Sequence, residues 1–205
     1  MSLDNYNNLK AEIADWLDND DLTSRIDTFI DLAEQHHKHN LRVREMIKRA
    51  TASCSTTVRY LALPTGYRHM RNLRLMTTPV TRLQFVNEDE MTRQINSASG
   101  KPKWYTIHEE IEFDRVCDSE YSAEMIYYAD VTALSSSNLT NPILTNYPAL
   151  YLYGSLVAAE PFLDNDERIP TWKGLYEEYL SSANLSDKKS RHVGTLVSRP
   201  IGARP

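Results

Sequence analysis

The sequence predicts an α+β fold: a helical bundle drawn from both ends of the chain, an inserted antiparallel β module, and an extended C-terminal tail. Three observations carry the prediction. Apolar residues recur at helical spacing through the first fifty residues. From residue 53 the pattern changes to alternating, β-branched and aromatic runs cut by Pro and Gly. An uncharged, tyrosine-rich helical segment then returns at 147–160. The boundaries so read are 1–52 with 133–185 for the bundle, 53–132 for the β module and 186–205 for the tail.

Tyr6, Leu9, Ile13, Trp16 and Leu17 mark a first amphipathic helix over 5–18, stopped by the Asn19-Asp20-Asp21 turn. Leu22, Ile26, Phe29, Ile30 and Ala33 resume the period behind acidic residues, and Leu41, Val43, Met46, Ile47 and Ala50 extend it. One long or once-broken helix is therefore expected over 21–50. Segments 56–63, 67–76 and 80–86 read as strands, punctuated by Pro64-Thr65-Gly66 and Thr78-Pro79. A short helix over 87–96 and strands at 104–108, 111–115 and 121–128 complete a module of five or six antiparallel strands.

The segment 138–160 opens polar and turn-forming, then carries no charge from Pro148 to Ala159. Asn146 is placed to cap this helix, and Pro148 fits a first-turn position where a missing N–H costs nothing. A helix that is apolar or aromatic all round needs neighbours all round, so burial against other subunits is expected. Pro161 ends it, and a last helix over 170–182 puts Trp172, Leu175, Tyr176 and Tyr179 on one face.

Composition bounds the function. With 205 residues, 41% apolar and 25% charged, the chain is an ordinary globular one that buries roughly 70% of its unfolded surface. Twelve tyrosines against four phenylalanines favour half-wet aromatic positions at interfaces. Cys54 and Cys117 lack a short-range pattern, which supports neither a disulfide framework nor a zinc site and points to a reducing compartment. Met1-Ser2-Leu3-Asp4-Asn5 has no signal-peptide character, and the uncharged stretch 131–159 holds too short an apolar run to span a bilayer, so no membrane is expected.

No motif carries chemistry. Gln35-His36-His37-Lys38-His39 has the look of a metal cluster, but position 40 is Asn and no supporting carboxylate pattern appears, so a solvated helix face is expected and no metal. The acidic cluster 109–114 could offer carboxylates for glycoside hydrolysis, yet Glu110, Glu112 and Asp114 share one face of a strand and more readily form a solvated or channel-facing stripe. There is no GxSxG and no phosphate-binding loop, so no catalytic residue or cofactor is assigned. Arg42, Arg44, Lys48 and Arg49, with Arg59, Arg68, Arg71 and Arg74, offer local basic faces, but a net charge of −5 opposes nucleic-acid binding. A hydrolase using 109–114 and a small DNA-binding packaging factor stay as the alternatives. The last twenty residues differ from the rest: five basic residues against Asp187 give them +4, leaving −9 to residues 1–185. Such a segment builds no core and lies disordered or along a partner.

The series Phe29-Ile30-Asp31-Leu32-Ala33-Glu34, Leu41-Arg42-Val43-Arg44-Glu45-Met46, Leu63-Pro64-Thr65-Gly66-Tyr67, Lys101-Pro102-Lys103-Trp104-Tyr105 and Ile126-Tyr127-Tyr128 continues into the run 140–154. Trp172 and Tyr176-Glu177-Glu178-Tyr179 close it. In this order the segments resemble the head-to-tail adaptor (connector) proteins of tailed bacteriophages over residues 20–180. The resemblance implies a noncatalytic virion subunit, made in the host cytoplasm, that forms a ring of twelve copies between the portal and the tail or nozzle protein. Genomic DNA would pass through the ring without specific binding. It also implies a docking role on the portal for the basic tail, through Lys188, Lys189, Arg191, Arg199 and Arg204. A ring subunit needs lateral contacts, for which Tyr147, Leu150, Tyr151, Tyr153, Trp172 and Tyr176 are the candidates, and Glu110, Glu112 and Asp114 are candidates for the channel wall.

Overall fold

Helix α1, Tyr6–Leu17, starts where Asn5 leaves helical geometry and its side-chain oxygen accepts from the Asn8 N–H at 3.0 Å. Tyr6, Leu9, Ile13 and Leu17 form its buried face, and Asp18 ends it in a left-handed conformation with φ 49°. Asn19 then caps a 3-10 turn, Asp20–Arg25, that runs into α2, Ile26–Asn40. The computed structural model describes residues 3–163 and 166–191. The fold is α+β, and it divides at residues 45–46 and 130–131 into a helical unit and a β unit.

Helix α2 stops earlier than its spacing predicts. Leu41 is already extended, and the residues expected to continue the helix to position 50 instead enter strand β1, Ile47–Ser53. Apolar positions 43, 46, 47 and 50 satisfy neither period decisively, and the deciding factor is non-local, because a partner strand lies alongside from Ile47 opposite Tyr128 to Ser53 opposite Ser122.

The β unit continues with β2, Tyr60–Ala62; β3, Tyr67–Leu75; β4, Thr81–Arg82; β5, Gln84–Phe85; helix α3, Glu88–Gln94; β6, Trp104–Ile107; β7, Glu110–Phe113; and β8, Ser122–Ala129. The strands form two four-stranded sheets in the orders β1-β8-β3-β4 and β2-β7-β6-β5. Neighbours are antiparallel except β5 and β6, which run parallel, a departure from the wholly antiparallel module expected. The reason is that the expected strand 80–86 splits at Leu83. Its buried residue donates N–H to Leu73 O at 3.0 Å, whereas Gln84 donates to Lys103 O at 2.9 Å, so the segment passes from the edge of one sheet to the edge of the other. Along β8 the pleat turns Ala123, Met125, Tyr127 and Ala129 inward, where they meet Leu73 and Leu75 of the same sheet and Tyr105, Ile111 and Phe113 of the second. Gly66 turns the chain into β3 at φ 70°, a conformation that suits glycine.

The helical unit resumes with α4, Pro142–Asn146, capped by Asn141, which accepts from the Leu144 N–H at 2.8 Å. Tyr147 breaks the helix, and α5, Pro148–Ala158, begins at the proline. Asn146 therefore does not cap α5. It closes α4, donating from its side chain to Pro142 O at 2.9 Å. A 3-10 turn, Glu160–Phe162, leads on, and α6 spans Ile169–Arg191. That helix outruns the expected 170–182, so residues 186–191 are helical rather than the start of an extended tail. The extension has an anchor. Ala183 is buried, and Asn184 accepts from the Arg42 N–H at 2.8 Å while donating to Asn40 O at 3.1 Å, satisfying a carbonyl at the end of α2. Helix α5 sits at the centre of this unit, packed against α1, α2 and α6.

Candidate interaction surfaces

The inner face of α5 is held by a polar network. Glu34, buried on α2, accepts at one carboxylate oxygen from the Leu134 N–H at 2.8 Å and from the Tyr151 hydroxyl at 2.9 Å. The Tyr151 oxygen in turn accepts from the Asn141 side-chain amide at 2.7 Å. Burial pushes the Glu34 carboxyl above its ordinary range against the pull of these two donors, and burial beside Glu34 pushes the Tyr151 phenol up. One turn on, Gly154 lets three helices meet: a Cβ there would lie 3.1 Å from both Ala33 Cβ and Tyr176 Cε2. His37 lies under this crossing, edge-on to Tyr151 and stacked on Tyr176, its ring facing the Leu150 backbone without a well-aligned hydrogen bond among the described residues. Burial depresses its pKa to about 4 and keeps it neutral.

This packing places the six lateral-contact candidates. Leu150, Tyr151, Trp172 and Tyr176 are buried by their own chain, because α1, α2 and α6 supply the neighbours that an uncharged helix requires. Only Tyr147 and Tyr153 keep partial exposure. Tyr153 belongs to an aromatic strip across three helices. Trp16 meets it edge-on at 5.8 Å, and Tyr179, 43% exposed, stacks on it at 5.7 Å and 9°. Helical spacing assigns Trp16 to the inward stripe of α1 and hides its second role, whose one sequence signal is that it extends a stripe already complete at Ile13 and Leu17. Leu32, Phe162 and Leu185 are further apolar side chains exposed on this unit.

In the β unit the acidic stripe does not form. Glu110 is exposed; Glu112 pairs with Arg59 at 3.0 Å; and Asp114, fully buried, faces no solvent. Strand β7 ends at Phe113, so the alternation that would align 110, 112 and 114 is lost. Asp114 accepts instead from the Lys103 and Trp104 N–H groups at 2.8 and 3.1 Å and from Arg115 Nε at 2.7 Å, clamping the start of β6 to the end of β7. Asp114 thus serves the join between two strands and does not face solvent beside Glu110 and Glu112. The basic run is largely neutralised too. Arg68 pairs with Asp130, and Arg49 and Arg74 both pair with Glu124.

A cleft of about 880 Å³ opens in this unit beside Arg71, Arg82, Phe85, Lys103, Trp104 and Tyr105. Phe85 is 60% exposed at its edge and meets Tyr105 in a T-shaped contact.

The histidine run is not one solvated face. His36 places Nδ1 2.7 Å from the Tyr176 hydroxyl, and His37 is core. Among the described residues no group of three or more His, Cys, Asp or Glu side chains is arranged to hold a metal, and no helix is long and apolar enough to cross a membrane. Cys54 and Cys117 are buried free thiols in contact, the hydrogen bond between them pushing Cys54 up and Cys117 down. Of the tail candidates, Lys188, Lys189 and Arg191 fall in the last turns of α6, while Arg199 and Arg204 lie outside the described residues.

No curated protein matches the chain. Residues 4–199, spanning the helical unit, the β unit and the joins between them in sequence, match the family described as SU10 adaptor protein. The chain belongs to that family of phage head-to-tail adaptors, and its role is that of a structural component of the virion.

Proposed function

We propose that copies of this chain assemble into a ring, twelve to a turn, seated between the portal and the tail or nozzle protein, so that the ring prolongs the channel through which DNA leaves the head. The observation that carries the reading is the family match over residues 4–199. Physical features support it. The strip of Trp16, Tyr153 and Tyr179, with Leu32 and Leu185 exposed on the same unit, offers aromatic and aliphatic area of the kind that fills the centre of a subunit contact. A net charge of −5 suits a conduit, because like-charged walls let a polyanion slide where many basic contacts would hold it. In this reading Glu110, the exposed member of the acidic trio, is the channel-wall candidate that keeps that role. Lys188, Lys189, Arg191, Arg199 and Arg204 make the portal contact.

Negative-stain imaging of the full chain mixed with purified portal tests the proposal. Rings capping the portal are expected, and portal particles left bare at saturating protein would refute it. Monomers in the absence of portal are compatible, since the portal can template the ring.

A further inference from the structure

In the β unit, three cations without a carboxylate partner share one cleft, while the ion-paired arginines lie outside it. Arg59, Arg68, Arg74 and Arg115 are each ion-paired. Arg71, Arg82 and Lys103, which all line the 880 Å³ cleft, have no carboxylate within pairing distance among the described residues. Two of them rest on aromatic rings instead, Arg71 over Tyr128 at 5.7 Å and Lys103 over Trp104 at 5.9 Å. The same cleft holds Asn72, whose buried side-chain oxygen has no donor among the described residues, and the exposed ring of Phe85. Unpaired cations, an acceptor wanting an N–H, and an exposed aromatic describe a seat for acidic polypeptide. Peptide brings carboxylates and backbone N–H donors together, whereas a phosphodiester strand brings no such donor in its backbone. The volume is that of a small-molecule or short-peptide site.

We propose that this cleft seats the acidic turn around Asp20 and Asp21 of a second copy of the chain. Asp15, Asp20 and Asp21 are exposed and have no ion pair among the described residues, so their charge is as uncommitted as that of Arg71, Arg82 and Lys103. A cleft on one part of the surface and its complement on another make a head-to-tail contact, the kind that generates closed rings. This inference rests on the ring reading and names the contact that closes the ring.

The test is to replace Phe85 with the photo-crosslinking residue p-benzoylphenylalanine in the full chain, irradiate it at high protein concentration with purified portal, and identify linked peptides by mass spectrometry. Position 85 should link to residues 11–25 of a second copy. Arg82→Glu with Lys103→Glu should cut that product at least tenfold, and mixing these copies with Asp20→Lys, Asp21→Lys copies should restore it. A link only to other segments, a link only within one chain, or no link in the presence of saturating portal would overturn the docking. Rings on the portal whose position 85 links elsewhere would sink this contact while sparing the ring. The expected dimer link without rings on the portal would sink the ring reading alone.

Discussion

The Tyr151 hydroxyl donates to Glu34 across α5 and α2 at 2.9 Å, and the same phenol oxygen accepts from Asn141, the residue that caps α4. One side chain thus couples the uncharged helix to a buried carboxylate and to the turn that introduces it. Tyr151→Phe keeps the ring and deletes the donor, leaving Glu34 with the Leu134 N–H and Asn141 with one acceptor fewer. A loss of roughly 1.5–3 kcal/mol is expected, the range for a hydrogen bond to a charged group. Urea denaturation followed by circular dichroism measures it.

Gly154→Ala sets two effects against each other. Alanine gains about 1 kcal/mol of helix propensity. Its Cβ would sit 3.1 Å from Ala33 Cβ and from Tyr176 Cε2, and the first of these is fixed to a helix backbone. Overpacking of this kind costs typically 1–3 kcal/mol. Net destabilisation is expected, and a rise in the thermal midpoint would show that the three helices are not in contact as described.

His37 makes the helical unit sensitive to acid. Its pKa falls from 6.5 to about 4 on folding because burial penalises the imidazolium. The unfolded chain therefore binds the proton first, so the stability held above pH 6.5 is lost as the pH falls toward 4, by up to about 3 kcal/mol. Glu34 works in the opposite sense, its raised carboxyl taking up a proton more readily in the folded state. Comparison with His37→Leu isolates the histidine: unfolding free energies from pH 7 to pH 4.5 should fall less steeply in the variant, and parallel curves would contradict the assignment.

Asp114→Asn should destabilise the β unit by about 2–3 kcal/mol, the cost of weakening charge-assisted bonds to two backbone N–H groups and Arg115. An asparagine keeps one acceptor but turns an amide toward a cation. Chemical denaturation of this variant reads the loss. Unchanged stability would return Asp114 to the surface role its spacing in the sequence implies.

The contrast between these residues shows what a linear pattern carries. Tyr6, Leu9 and Ile13, or Phe29, Ile30 and Ala33, announce their helices because their partners lie one turn away, and the split between helical and β segments follows from the same local periods. Positions 47–53 do not announce a strand, since what makes them one is β8, some seventy residues on. Asp114 misleads for a related reason: alternation holds only while a strand lasts, and β7 ends one residue before it. The uncharged run of α5 correctly signals deep burial but not by what. Gly154 and the meeting of α2, α5 and α6 answer that within the chain, leaving Trp16, Tyr153 and Tyr179 as the outward remainder.

The docking role of the basic tail is open to truncation. Removing residues 192–205 spares α6 and its Asn184 anchor but takes Arg199 and Arg204, so thermal stability should be unchanged while portal binding weakens. Undiminished binding would take Arg199 and Arg204 out of the portal contact, and undiminished binding after Lys188→Glu, Lys189→Glu and Arg191→Glu as well would refute the tail's docking role.

Whether the subunit closes a ring on the portal is decided by native mass spectrometry of the full chain with purified portal. One discrete complex carrying twelve copies per portal is expected. Free portal beside unassembled chain, or a graded series of partial loads with no preferred number, would contradict it.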